Sequence, residues 1–186
     1  RKNGYHDIAS IMQTINLSDT VTLEPSDSIS LHSDSFELRS PHNLALKSAI
    51  LMRKTTGCAE GVTIGLQKRI PISAGLGGGS SDAAATLIGL NELWKLDMSI
   101  ADLTSLAVQI GTDVPFFLHG GTAMVHGLGE RVRVLPTADL QWMVILVPSI
   151  RIPEKTRLMY DKLRDQHFSK GGFTRKLEAR IRGGGG

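Results

Sequence analysis

The chain has 186 residues, 41% of them hydrophobic, enough for a core of ordinary domain size. Its net charge of +3 suits anionic ligands but falls short of the basic excess of a nucleic-acid binder. The single cysteine, Cys58, cannot close an intrachain disulfide, and no Cys/His spacing suggests zinc. No apolar run approaches the ~18 residues of a membrane span. These features suit a reducing cytoplasm, with neither a nucleic acid nor a membrane as partner.

Residues 11–15 and 20–24 are strand-like runs punctuated by Asn16 and Ser18-Asp19. Residues 28–32 and 36–39 read as a short hairpin pair. Asn43 opens a helical pattern carried by Leu44, Leu46, Ala49, Ile50 and Leu51, and Gly57 and Gly61 end it. Residues 61–67 form a strand. A glycine-rich loop follows, and then a helix whose wide apolar stripe predicts burial against a sheet. Ser99 and Asp102 have capping-box spacing before a helix bearing Leu103, Leu106, Ala107 and Ile110, with Gly111 just past its end. Residues 122–126 and 131–135 pair around Gly127 and Gly129. The apolar run 142–147 predicts a central strand, and residues 156–166 a helix. The basic stretch 175–182 reads as a solvated helix face. Strands and helices mix without strict alternation, which makes the class α+β.

The loop is the richest signal. Pro71-Ile-Ser-Ala-Gly-Leu-Gly-Gly-Gly-Ser-Ser-Asp-Ala-Ala-Ala85 places four glycines among five residues directly before a helix. Glycine lets a backbone come close to a ligand, and a helix start offers free N–H groups and a positive dipole end. Together these make a phosphate cradle. It is not a P-loop, because no lysine lies between Pro71 and Asp82. It is not the dinucleotide fingerprint either: counted from Gly75 or Gly77, the third glycine position holds Ser80 or Asp82. Asp113, on a turn stiffened by Pro115, has the chemistry of a base for phosphoryl transfer to an alcohol, although an aspartate there is also an ordinary turn or cap residue. From the residues alone Asn43 reads as a helix N-cap, Lys68 as a surface lysine, and Tyr160 as a helix-face aromatic. His32, His42, His119, His126 and His167 show no ligand spacing, and Trp94 and Trp142 read as core.

The pattern Pro-x-x-x-Gly-Leu-Gly-x-x-Ser-Ser-x-Ala-Ala resembles the phosphate loop of the GHMP small-molecule kinases. Three further segments, Asn3-Gly4-Tyr5-His6, His42-Asn43-Leu44 and Gly111-Thr112-Asp113-Val114-Pro115-Phe116-Phe117, resemble the branch acting on 4-diphosphocytidyl-2-C-methyl-D-erythritol. The four motifs cover nearly the whole chain in family order. The resemblance implies the GHMP kinase N-terminal domain, similar to the second domain of ribosomal protein S5, over residues 1–153. Residues 154–186 would begin a ferredoxin-like C-terminal domain that is largely absent. The start at Arg1 and the close on Gly183–Gly186 read as a fragment, without the upstream strand and catalytic lysine that the family pairs with its aspartate.

The resemblance further implies ATP-dependent phosphorylation of the substrate's 2-hydroxyl in non-mevalonate isoprenoid synthesis, with Asp113 as the catalytic base. ATP would be held by Pro71, Ile72, Ser73, Ala74, Gly75, Leu76, Gly77, Gly78, Gly79, Ser80 and Ser81, with adenine near Asn43, Leu44 and Lys68. Cytidine would lie against Tyr5 and His6, with Tyr160 as a second aromatic. Mg²⁺ is the implied cofactor, with a loop serine as one ligand and no full ligand set assignable. The setting would be the bacterial cytoplasm, or the plastid stroma in a plant or alga. Another GHMP kinase, or a nucleotide-binding fragment without catalysis, remains the alternative.

Overall fold

The computed structural model describes residues 6–137, 142–148 and 155–183. The chain divides into two compact units, Ile15–His119 and a second formed by Arg1–Thr14 with Gly120–Gly186.

In the unit Ile15–His119, strand β4 (Gly61–Gln67) lies between β2 (Thr20–Ser26), antiparallel to it, and β3 (Ile29–Ser33), parallel to it. Val62, Ile64 and Leu66 alternate along β4 and are all buried, so one face of the sheet is core. Helices α1 (Leu44–Thr56), α2 (Gly78–Leu93), α3 (Ile100–Ile110) and α4 (Val114–His119) complete the unit. Ala45 and Ala49 of α1 and Ala83 and Ala84 of α2 are fully or almost fully buried in one cluster with Met52, Leu87 and Leu90. Small side chains let these two helices approach closely, and the larger ones close the core against Val62 and Ile64.

Local signals set the helix ends. The Asn43 side chain accepts the Ala45 amide at 2.8 Å and donates to the Leu38 carbonyl at 3.0 Å, so it caps α1 and ties it to the preceding segment. Gly57 ends α1 in the left-handed conformation, at φ 70°. Both halves of the Ser99–Asp102 capping box form at α3. Gly111 follows α3, but in extended backbone and not as a left-handed terminator. The hairpin expected over 28–39 is half right. Residues 36–39 form a 3-10 turn, because Leu38 N–H returns to the Ser35 carbonyl and Arg39 Nε donates to the Ser33 carbonyl.

In the other unit, β5 (Thr122–Gly127) pairs antiparallel with both β1 (Ile8–Gln13) and β6 (Arg131–Val134). Helix α5 (Lys155–Asp161) precedes α6 (Gly172–Arg182), which is fastened to β1 by Thr174 Oγ1 donating to the Ala9 carbonyl at 2.8 Å. The basic stretch is the solvated face expected, with Arg175, Lys176, Arg180 and Arg182 all exposed, but the acidic residue within it is not. Glu178 is buried between Arg133 at 2.7 Å and Arg182 at 2.8 Å, and the Arg182 hydrogen bond, with Arg133 beside it, holds its carboxyl below the ordinary range. The expected strand at 142–147 is absent: residues 142–148 carry no regular structure, and Trp142 is fully exposed, not core. An apolar run becomes a strand only where another strand supplies hydrogen-bond partners, and none among the described residues pairs with it.

Candidate active site

The glycine-rich loop leaves β4 at Gln67 and enters α2 at Gly78. Gly75 and Gly77 both take positive φ, and Ser73 does so as well at 61°, an uncommon conformation for a residue with a side chain. The cap of α2 is Gly77, with no side-chain hydrogen bond. Neither serine therefore caps the helix. Both lie in its first turn, where Ser81 turns its hydroxyl back onto the Gly78 carbonyl at 2.8 Å and Ser80 lines the cavity.

That cavity has a volume of about 470 Å³. The structure brings to it residues 71–80 of the loop, and with them Asn43, Leu44 and Lys68. Ser40 and His42 lie there too, Asp82 stands on its helical side, and the 3-10 segment adds Glu37 and Leu38. Sequence reasoning missed the 3-10 contribution because it took those residues for a strand.

Lys68 is no surface lysine. Its side chain is 11% exposed and its ammonium is paired with the carboxylates of Asp19 and Asp82, the latter at 2.8 Å. The second Asp19 oxygen accepts the amides of Arg69 at 2.6 Å and Ile70 at 2.8 Å. Burial pushes the Asp82 carboxyl up, against the pull of Lys68, to about 6. Burial also opposes the charge of Asp19, but there the Lys68 hydrogen bond and the two amides win, and its carboxyl lies below the ordinary range. For Asp82 the sign is clear. A carboxyl that titrates higher in the folded chain contributes stability below its unfolded value, near 3.8, and loses it as pH rises through about 6. Urea unfolding from pH 4 to 7 should therefore show Asp82→Asn gaining on the wild type as pH rises. A constant difference would refute the shift.

Asp113 lies on the exposed turn before α4, with Thr112 Oγ1 3.5 Å from its Oδ1. It does not line the cavity, but the helix after it touches the loop. A Cβ on Gly77 would come 2.6 Å from Cζ of Phe117, four residues beyond Asp113. Phe117 belongs to α4, so the helix that follows Asp113 packs on the glycine-rich loop.

In the other unit the His6 ring stacks on Tyr160, with centroids 5.2 Å apart and planes 25° apart, and on Phe168 at 6.1 Å and 25°. Tyr5 lies outside the described residues. Phe168 was missed from sequence, where nothing in its local spacing sets it apart.

Residues 43–121 match the GHMP kinases N terminal domain. A 4-diphosphocytidyl-2-C-methyl-D-erythritol kinase of Dehalococcoides mccartyi is 42% identical over 178 residues, covering 95% of this chain and 63% of that protein. This chain belongs to the GHMP kinase family. A kinase of the same name from Symbiobacterium thermophilum is 45% identical, over 89% of this chain and 60% of its own length. The crystal structure of a 4-(cytidine 5'-diphospho)-2C-methyl-D-erythritol kinase superposes on this chain with a TM-score of 0.77 and 34% identity, across the whole chain and 66% of its own. The chain thus spans a little under two thirds of the relatives it matches. Its α+β fold is that of a GHMP kinase N-terminal domain. No helix among the described residues is long and apolar enough to cross a membrane.

Proposed function

We propose that the complete protein is an ATP-dependent kinase that phosphorylates the 2-hydroxyl of 4-diphosphocytidyl-2-C-methyl-D-erythritol, giving the 2-phosphate and ADP. The observation that carries the reading is the 470 Å³ cavity walled by the phosphate loop, with Asn43, Leu44 and Lys68 beside it and the helix after Asp113 packed on the loop. The relatives' names supply the substrate class.

Phosphoryl transfer needs positioning and electrostatic stabilisation more than covalent chemistry. The free amides at the start of α2 would bind the phosphate oxygens and stabilise charge as it spreads over the transferring group. Asp113 would orient the substrate hydroxyl and take its proton as the new O–P bond forms, while ADP leaves with the old bridging oxygen. Adenine would lie against Asn43, Leu44 and Lys68. The aromatic faces of His6, Tyr160 and Phe168, with Tyr5, would receive the cytosine.

The donor set fits Mg²⁺. This ion binds through one or two protein oxygens plus substrate phosphates, and Ser80 supplies a hydroxyl in the cavity. No cluster of three acidic or His/Cys side chains capable of holding a metal occurs among the described residues. When bound, the ion would neutralise phosphate charge. Residues 1–153 would form the ATP-binding domain and 154–186 open the C-terminal one. The setting would be cytoplasmic, with a small-molecule substrate as the partner.

Calorimetric titration with the CDP-linked methylerythritol, against its uridine analogue, tests the substrate. Binding selective for cytidine is expected. Equal binding of both, or of neither by a folded chain, would remove the cytidine reading.

A further inference from the structure

Asp19 and Asp82 have no place in the chemistry above, and Lys68 stands there only beside the adenine, yet the three ionic side chains are 2%, 5% and 11% exposed. Its location explains the arrangement. Lys68 is the first residue after β4, where the chain turns into the phosphate loop. Its ammonium reaches across the loop to Asp82 on α2, and it lies 3.1 Å from where a Gly78 Cβ would stand. The loop's entry and exit are thereby joined by one cation. Asp19 fixes the same junction from the other side: one oxygen takes Lys68, and the other takes the amides of Arg69 and Ile70, the next two peptides of the chain. Both amides have left the β4 ladder, and that of the buried Ile70 needs an acceptor, since a buried unpaired N–H is costly. Asp82 lines the cavity, but a carboxylate repels phosphate, so its contribution to an anion site is the grip on Lys68.

We propose that Asp19 and Asp82 are positioning residues that act through Lys68 to hold the phosphate loop in its nucleotide-binding shape. The proposal rests on the kinase reading. Asp19 also acts through the Arg69 and Ile70 amides, whereas Asp82 acts through Lys68 alone.

The test is a double-mutant cycle read by calorimetric ADP binding to this full chain, with steady-state kinetics in the full-length enzyme. Asp19→Asn keeps an oxygen for the two amides but turns an NH₂ toward Lys68. It should weaken ADP binding and raise KM for ATP by roughly tenfold, the loss expected for a charge-assisted bond, with kcat and KM for the alcohol nearly unchanged. Asp82→Ala should do the same in the wild type and change nothing further in a Lys68→Met background, because the partner it acts through is gone. Should Lys68→Met fail to fold, the Asp19→Asn/Asp82→Ala double variant serves: it should bind ADP less weakly than the product of the single effects requires. Full additivity, an undiminished Asp82→Ala effect without Lys68, or ADP affinity unchanged in both single variants overturns the proposal. A folded wild-type chain that binds no ADP overturns the kinase reading and this proposal together. Normal wild-type binding with unaffected variants sinks the proposal alone.

Discussion

Asp113→Asn in the full-length protein should lower kcat by roughly a thousandfold, within the range that a positioned general base contributes. The amide keeps the size and polarity of the carboxylate but cannot accept the substrate proton. The fold should hardly notice. Asp113 is exposed, its side chain is approached by Thr112 Oγ1 only at a long 3.5 Å, and the turn is closed by backbone, with Val114 N–H donating to the Gly111 carbonyl at 3.2 Å. KM for ATP should therefore stay near the wild-type value, since the loop and the cavity do not depend on this side chain. Steady-state kinetics with matched circular dichroism decides the matter. A variant turning over within threefold of the wild type would remove Asp113 from the chemistry. A large rise in KM for ATP at constant kcat would move it from base to nucleotide contact.

Sequence was a good guide wherever the deciding interaction is local. The alternation of Val62, Ile64 and Leu66 marks β4 to the residue, because a strand with one buried face writes its period into the chain. Asn43, Gly57, Ser99 and Asp102 mark helix ends because each bonds to backbone a few residues away. The turn geometry of the glycine-rich loop was legible for the same reason, because Gly75 and Gly77 at positive φ set it within its own backbone. What escaped notice depends on distant partners. Lys68 meets Asp19 across 49 residues, and no periodicity announces such a pair. Phe168 joins His6 from the far end of the chain. Residues 36–39 failed as a strand because the Arg39 guanidinium bonds to the Ser33 carbonyl and the Ser35 carbonyl closes a turn, so the backbone found partners without a sheet. The run 142–147 erred in the opposite direction, having strand composition without a partner strand.

Gly77→Ala should damage the site as severely, by a different route. Gly77 sits at φ 71°, ψ 15°, where an alanine costs about 1–2 kcal/mol in backbone strain alone. The new methyl would also lie 2.6 Å from Cζ and 2.8 Å from Cε2 of Phe117, closer than real side-chain contacts allow. Phe117 cannot easily retreat. Its ring meets Phe116 edge-on, with centroids 5.0 Å apart, and Phe116 is itself 1% exposed. The loop must give instead, and with it the amides that begin α2. Displacing phosphate donors by about an ångström is enough to cost roughly a hundredfold in rate. ADP affinity should fall at least tenfold, and the full-length enzyme should lose turnover as well, because the shift also changes how the loop meets α4, the helix that follows Asp113. Removing the obstructing ring separates the two causes. In the Gly77→Ala/Phe117→Ala pair the steric part vanishes and the φ penalty stays, so ADP binding should recover partly and not completely. Full recovery would mean that the left-handed backbone is unimportant. No recovery would mean that the Phe117 contact is not what sets the loop's position. The second outcome alone would break the link between the glycine-rich loop and α4; the first would leave the Phe117 contact as the whole cause.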